Sequence, residues 1–139
     1  MPVVFHTNAE GSGCSCTRVA AVARQFPDLA VVMAHLYDKD QFSAVLPLLR
    51  QAPNLYWQHM HLDRVKLDTG KTALEELVGQ GLASRIVFGT DVQNDHSAIL
   101  DDRLRFRQRL HALGLAEEQI HAVLVGTAER LFSRVKPLP

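Results

Sequence analysis

Four short apolar runs, each with a polar residue at or next to its end, recur along the chain and are separated by longer amphipathic stretches. The runs are Val3–Thr7 (VVFHT), Ala30–His35 (AVVMAH), Leu55–Met60 (LYWQHM) and Arg85–Asp91 (RIVFGTD). Their length and their β-branched and aromatic content predict buried strands. The gaps carry helical spacing. Val19, Val22, Ala23 and Phe26 mark a helix over Thr17–Phe26, and Phe42, Val45, Leu46 and Leu49 mark one over Phe42–Arg50. Asp38 or Asp40 is the expected N-cap of the second, and Pro47 predicts a kink in it or a late start. Thr72-Ala-Leu-Glu75 is a capping box that opens a third helix through Val78. Leu100, Leu104, Leu110 and Leu113 predict a fourth over Ile99–Leu113, with two further short helices in GLAEEQIHAVL and GTAERLF.

Strand and helix in fourfold alternation predict consecutive parallel β/α units, an α/β fold in a single domain over residues 1–139. Right-handed crossovers place successive helices on one face of a sheet. A simple 1-2-3-4 strand order would therefore leave the other face bare. On the strands, alternation groups Val4 with His6, Val31 with Met33 and His35, and Arg85 with Val87, Gly89 and Asp91. These rows are largely apolar below their last residue, so either the strand order reverses or something else covers them.

The 139 residues can bury a substantial core, and 47% of them are hydrophobic. Fifteen basic residues balance fifteen acidic ones, which removes the electrostatic case for nucleic acid or an anionic membrane surface. No apolar run reaches the roughly 20 residues of a membrane span, and the start MPVVFHTN has no secretion-signal pattern. Cys14 and Cys16 are too close in sequence to bridge without strain, and a reduced, cytoplasmic setting is expected.

Seven histidines are the compositional oddity. Parallel β/α folds gather functional groups at the carboxyl ends of their strands. Here those ends read His6, His35, His59 with His61, and Asp91. Imidazole nitrogens with one carboxylate suit zinc, manganese, iron or nickel, and such an ion activates water for hydrolysis. Each residue alone also fits a structural role, and Asp91 alone fits a helix N-cap or a turn. Asp95 and His96, in the expected loop after Asp91, are weaker candidates for touching substrate. No glycine-rich phosphate loop supports a nucleotide-binding reading, because EGSGCSC lacks both the glycine spacing and a lysine.

Taken in order, PVVFHT, RQFPDLAVVMAHL, APNLYWQ, ALEELVGQGLASRIVFGTDV and GTAERLF resemble the C-terminal half of the amidohydrolase-related family (amidohydrolase family 2) of metal-dependent hydrolases and decarboxylases. The resemblance implies half of a TIM-type (β/α)8 barrel, its fifth to eighth strands. It implies that His6 binds the metal, that His35 is a ligand or catalytic group, and that Asp91 is a ligand or proton-transfer base. The ion so implied is zinc, with manganese or iron as alternatives, and the substrate a small organic acid, amide or lactone. Two departures stand out. The family's H-x-H pair on the first strand has no counterpart here, and YWQHMHLD replaces a segment usually of N-x-Y-x-D-T-S type; His59 and His61 are candidate substitutes for the missing pair. Thr127 stands where the family's ending usually has Asn. The expected partners are a small-molecule substrate and either a second copy of the chain or a separate N-terminal-half polypeptide. The alternative is a catalytically inactive remnant that serves as a structural or interaction module.

Overall fold

A computed structural model describes residues 2–8, 13–60, 62–91 and 95–133. The first unit is strand β1 (Val3–His6) with helix α1 (Cys16–Gln25), and the second is β2 (Val31–Ala34) with α2 (Lys39–Gln51). The third pairs β3 (Leu55–Gln58) with α3 (Ala73–Gly79). A 3-10 turn at Ala83–Arg85 then leads into β4 (Ile86–Val87) and the long α4 (His96–Ala112). The described chain closes with α5 (Glu117–His121), a π-helical turn (Ala122–Gly126) and α6 (Thr127–Phe132).

Local chemistry sets the helix starts. The Asp38 carboxylate accepts from the Gln41 amide at 2.8 Å and opens α2 three residues before the apolar spacing begins. Pro47 sits inside that helix, which continues through it with one backbone hydrogen bond forgone. The capping box of α3 is complete: Thr72 Oγ1 accepts from the Glu75 amide at 3.1 Å, and Glu75 accepts from the Thr72 amide at 2.6 Å. The N-cap of α4 is Asp95, whose Oδ1 accepts from the Ser97 and Ala98 amides at 3.1 Å each. Asp95 and His96 were expected in a loop. Asp95 instead caps the helix and His96 is its first residue.

All four strands are parallel, in the order β1-β2-β3-β4. The order does not reverse, so one face takes α1 to α4. There Val31, Met33, Leu55, Trp57 and Ile86 join the main core, and Phe42 stacks on Trp57 with ring centroids 5.7 Å apart. The other face carries a small cluster of Val32, Tyr56 and Val87, with Leu131 and Ala128 of α6 packed on it. Helix α6 thus covers part of the second face, while Val4, in the middle of β1, stays 52% exposed.

This register corrects the expected row on β2. Val4 pairs with Val32, so Val32 and not Val31 or Met33 shares the face of Val4 and His6. The run Val-Val-Met is apolar at every position and buried at every position, so alternation within it carries no face information.

Candidate functional site

His6 ends β1 and, by alternation, lies on the same face as Val4. Parity would turn His35 the other way, with Met33. The backbone prevents this: His35 has φ of 84°, in the left-handed region. A side chain there costs on the order of 1–3 kcal/mol and persists only where its surroundings impose it. The His35 carbonyl accepts from Trp57 Nε1 at 3.0 Å and, 2.8 Å from Thr7 Oγ1, shares that hydroxyl's one proton with the Ala34 carbonyl. The same Thr7 hydroxyl lies 2.5 Å from the Ala34 carbonyl. The reversal carries the imidazole to the end of β1, where His35 Nε2 stands 3.1 Å from His6 Nδ1. The rings meet edge to face with centroids 4.5 Å apart; His35 is buried and His6 exposed.

A pair at this distance can share one proton, or both nitrogens can turn lone pairs to one ion. Two nitrogen ligands of a tetrahedral zinc ion are roughly 3.3 Å apart, from bond lengths of about 2.0–2.1 Å. His6 and His35 therefore fit as two members of a ligand set. Among the described residues no group of three metal-capable side chains converges. Asp91 follows β4 by four residues, is exposed, and also has a left-handed backbone, φ 56°. It is not the N-cap of α4. His61 lies outside the described residues, and for His96 only the backbone is described.

His59 was expected at the rim beside His61. Its ring instead lies among the helices' side chains, consistent with alternation from Leu55 and Trp57. It stacks on Phe88 with centroids 4.8 Å apart and leans on Phe106 of α4 at 4.2 Å. Both ring nitrogens are engaged: Nδ1 accepts from the Gly89 amide at 3.3 Å, and Nε2 faces Asp102 Oδ2 at 3.4 Å. Burial lowers the His59 pKa below the ordinary histidine range, against the opposing pull of Asp102 and Asp63. With Nδ1 accepting from the Gly89 amide, the ring proton lies on Nε2, toward Asp102.

Four residues with no chemical signal in the sequence shape this region. Thr7 and Trp57 hold the His35 backbone, Asp102 faces His59, and Gln58 lies across Gly89, where the Cβ of any larger residue would overlap its side-chain amide. The bulk missing at Gly89 is the space Gln58 fills. Cys16 is buried with its Sγ 3.9 Å from Gln41 Oε1, and Cys14 is a free, exposed thiol.

The family model for amidohydrolases matches residues 2–134. The chain belongs to the amidohydrolase family. The crystal structure of a dihydroorotase from Campylobacter jejuni is similar in fold, with a TM-score of 0.59 at 19% identity. The superposition covers 99% of this chain and 49% of the dihydroorotase chain, so the protein spans about half the length of that structure. No curated protein matches the chain. His6 ends β1, His35 follows β2 and Asp91 follows β4, at the carboxyl ends of the strands, where β/α barrels carry their sites. No described helix is long and apolar enough to cross a membrane.

Proposed function

We propose that this amidohydrolase chain forms a divalent-metal site at His6, His35 and Asp91 and takes part in hydrolysis, or decarboxylation, of a small organic acid, amide or lactone. One observation carries the reading. A strained backbone at His35, held by two hydrogen bonds, brings its Nε2 to 3.1 Å from His6 Nδ1. The separation is close to that of two nitrogen ligands on one tetrahedral ion, which supports the reading. Zinc suits the two imidazoles best, and manganese and iron accept the same donors.

When bound, the ion supplies Lewis acidity at the rim. His6 and His35 hold it through neutral ring nitrogens, so protons compete with metal and binding weakens as pH falls. The Asp91 carboxylate, exposed after the fourth strand, offers a third ligand through oxygen or takes the proton from attacking water. Calorimetric zinc titration of the wild type beside His6→Ala and Asp91→Asn tests this. Both variants should bind at least tenfold more weakly, in the range seen when a ligand shell is disturbed. Equal binding in all three, or none in the wild type, sinks the proposal. The second reading, an inactive remnant acting as an interaction module, is favoured by the absence of a converged third ligand among the described residues. That titration separates the two.

A further inference from the structure

Asp91 has to be held in place by something, because its backbone is left-handed and its side chain is exposed. Among the described residues the β4 ladder ends at Val87, whose carbonyl accepts from the His59 amide at 2.9 Å. At Gly89 the segment leading to Asp91 is gripped by side chains. Gln58 lies over Gly89. On the other side the Gly89 amide donates to His59 Nδ1. His59 is itself wedged between Phe88 and Phe106 and is 4% exposed, with Nε2 turned to Asp102 on α4.

We infer that His59 is a positioning residue for Asp91: it latches the Gly89–Asp91 segment to the end of β3 and to α4, and is not itself a metal ligand. Asp102 fixes the tautomer, since a proton on Nε2 leaves Nδ1 free to accept from Gly89. The role in metal binding rests on the site proposed above, whereas the latch itself does not.

Two amide replacements divide the ring's functions. Asn places an oxygen where Nδ1 was and keeps the acceptor for Gly89. Gln places its amide near Nε2, reaches Asp102 and loses that acceptor. Amide hydrogen exchange at Gly89 reads the latch without metal, and zinc calorimetry on the full chain reads its consequence. His59→Gln should speed Gly89 exchange about tenfold and lower zinc affinity as much as Asp91→Asn does, while His59→Asn stays near wild type. The double variant His59→Gln/Asp91→Asn should bind no more weakly than Asp91→Asn alone, because both remove one contribution. Additive losses, or equal losses in His59→Asn and His59→Gln, would mean that His59 acts independently of Asp91 and would overturn the inference. Unchanged Gly89 exchange in His59→Gln removes the latch. A wild type that binds no zinc removes the positioning role and the proposed site together, while Gly89 exchange still reports separately on the latch. If His59→Gln does not fold, Asp102→Ala on the partly exposed face of α4 leaves the aromatic packing in place and should give the same pattern, weaker.

Discussion

At His35 a single φ angle does what alternation could not. The sequence places a histidine at the end of β2, but a regular strand would bury its ring with Met33. The turn toward His6 comes from Thr7 and Trp57, 28 and 22 residues away in the chain, and no local pattern encodes it. Thr7→Val keeps the shape and removes the hydroxyl. It should cost about 1 kcal/mol of stability for the lost hydrogen bond, and it should weaken zinc binding more than a surface change of equal stability cost does. Denaturant unfolding and zinc titration of the same variant check both. Thr127 is the opposite case. It is fully buried, and its Oγ1 has no partner among the described residues. Thr127→Val should therefore be neutral or stabilising by up to about 1 kcal/mol, since an unpaired buried hydroxyl contributes only its desolvation cost. A clear fall in melting temperature would reveal a hidden partner for that hydroxyl.

The elements show where sequence patterns carry structural information and where they stop. The Thr72–Glu75 box was legible, and the α2 cap was narrowed to Asp38 or Asp40, because each is a short local bond between a side chain and a nearby amide. The strand expected over Arg85–Asp91 is ladder-paired only at Ile86–Val87, because a 3-10 turn occupies Arg85 and the segment from Gly89 is held by side chains instead. The two expected terminal helices run almost into one another through a π-helical turn, a hydrogen-bond shift that apolar spacing does not record. Glu75 yields a pH prediction. Its pKa lies below the ordinary 4.5, chiefly through the Thr72 amide and further through the Thr72 hydroxyl and Arg109. A lowered folded pKa gives stability that is fully present above the ordinary value and lost as pH falls through the folded one. The melting-temperature gap between wild type and Glu75→Gln should therefore be constant near neutrality and close as pH drops below about 4.5. A constant gap down to pH 3 would contradict the sign. Val87 is 6% exposed and packs with Val32, Tyr56 and Leu131, so Val87→Asp should cost about 3 kcal/mol or more by burying an unpaired charge.

Across the whole molecule the sheet is covered on one face and only partly on the other. Four parallel strands in sequential order cannot close a barrel, which takes about eight. Helix α6 seats Leu131 on Val32, Tyr56 and Val87. Val4 stays 52% exposed in mid-strand, and β1 and β4 each have one neighbour among the described strands. Apolar sheet surface with free edges associates, either with its own kind or with a complementary chain. The α/β class and the strand count were legible because periodicity is local. How the second face is covered was not, because that depends on α6 folding back across the sheet, a contact between distant parts of the chain. The prediction is that purified protein at micromolar concentration scatters light as more than one chain. Val4→Glu should shift it toward the monomer with little change in helix content, since Val4 contributes to the surface more than to the core. A monodisperse monomer that binds no apolar dye would mean that the described face is already satisfied. The half-barrel would then be a self-sufficient fold, and the proposed metal site would have to be completed from this chain alone.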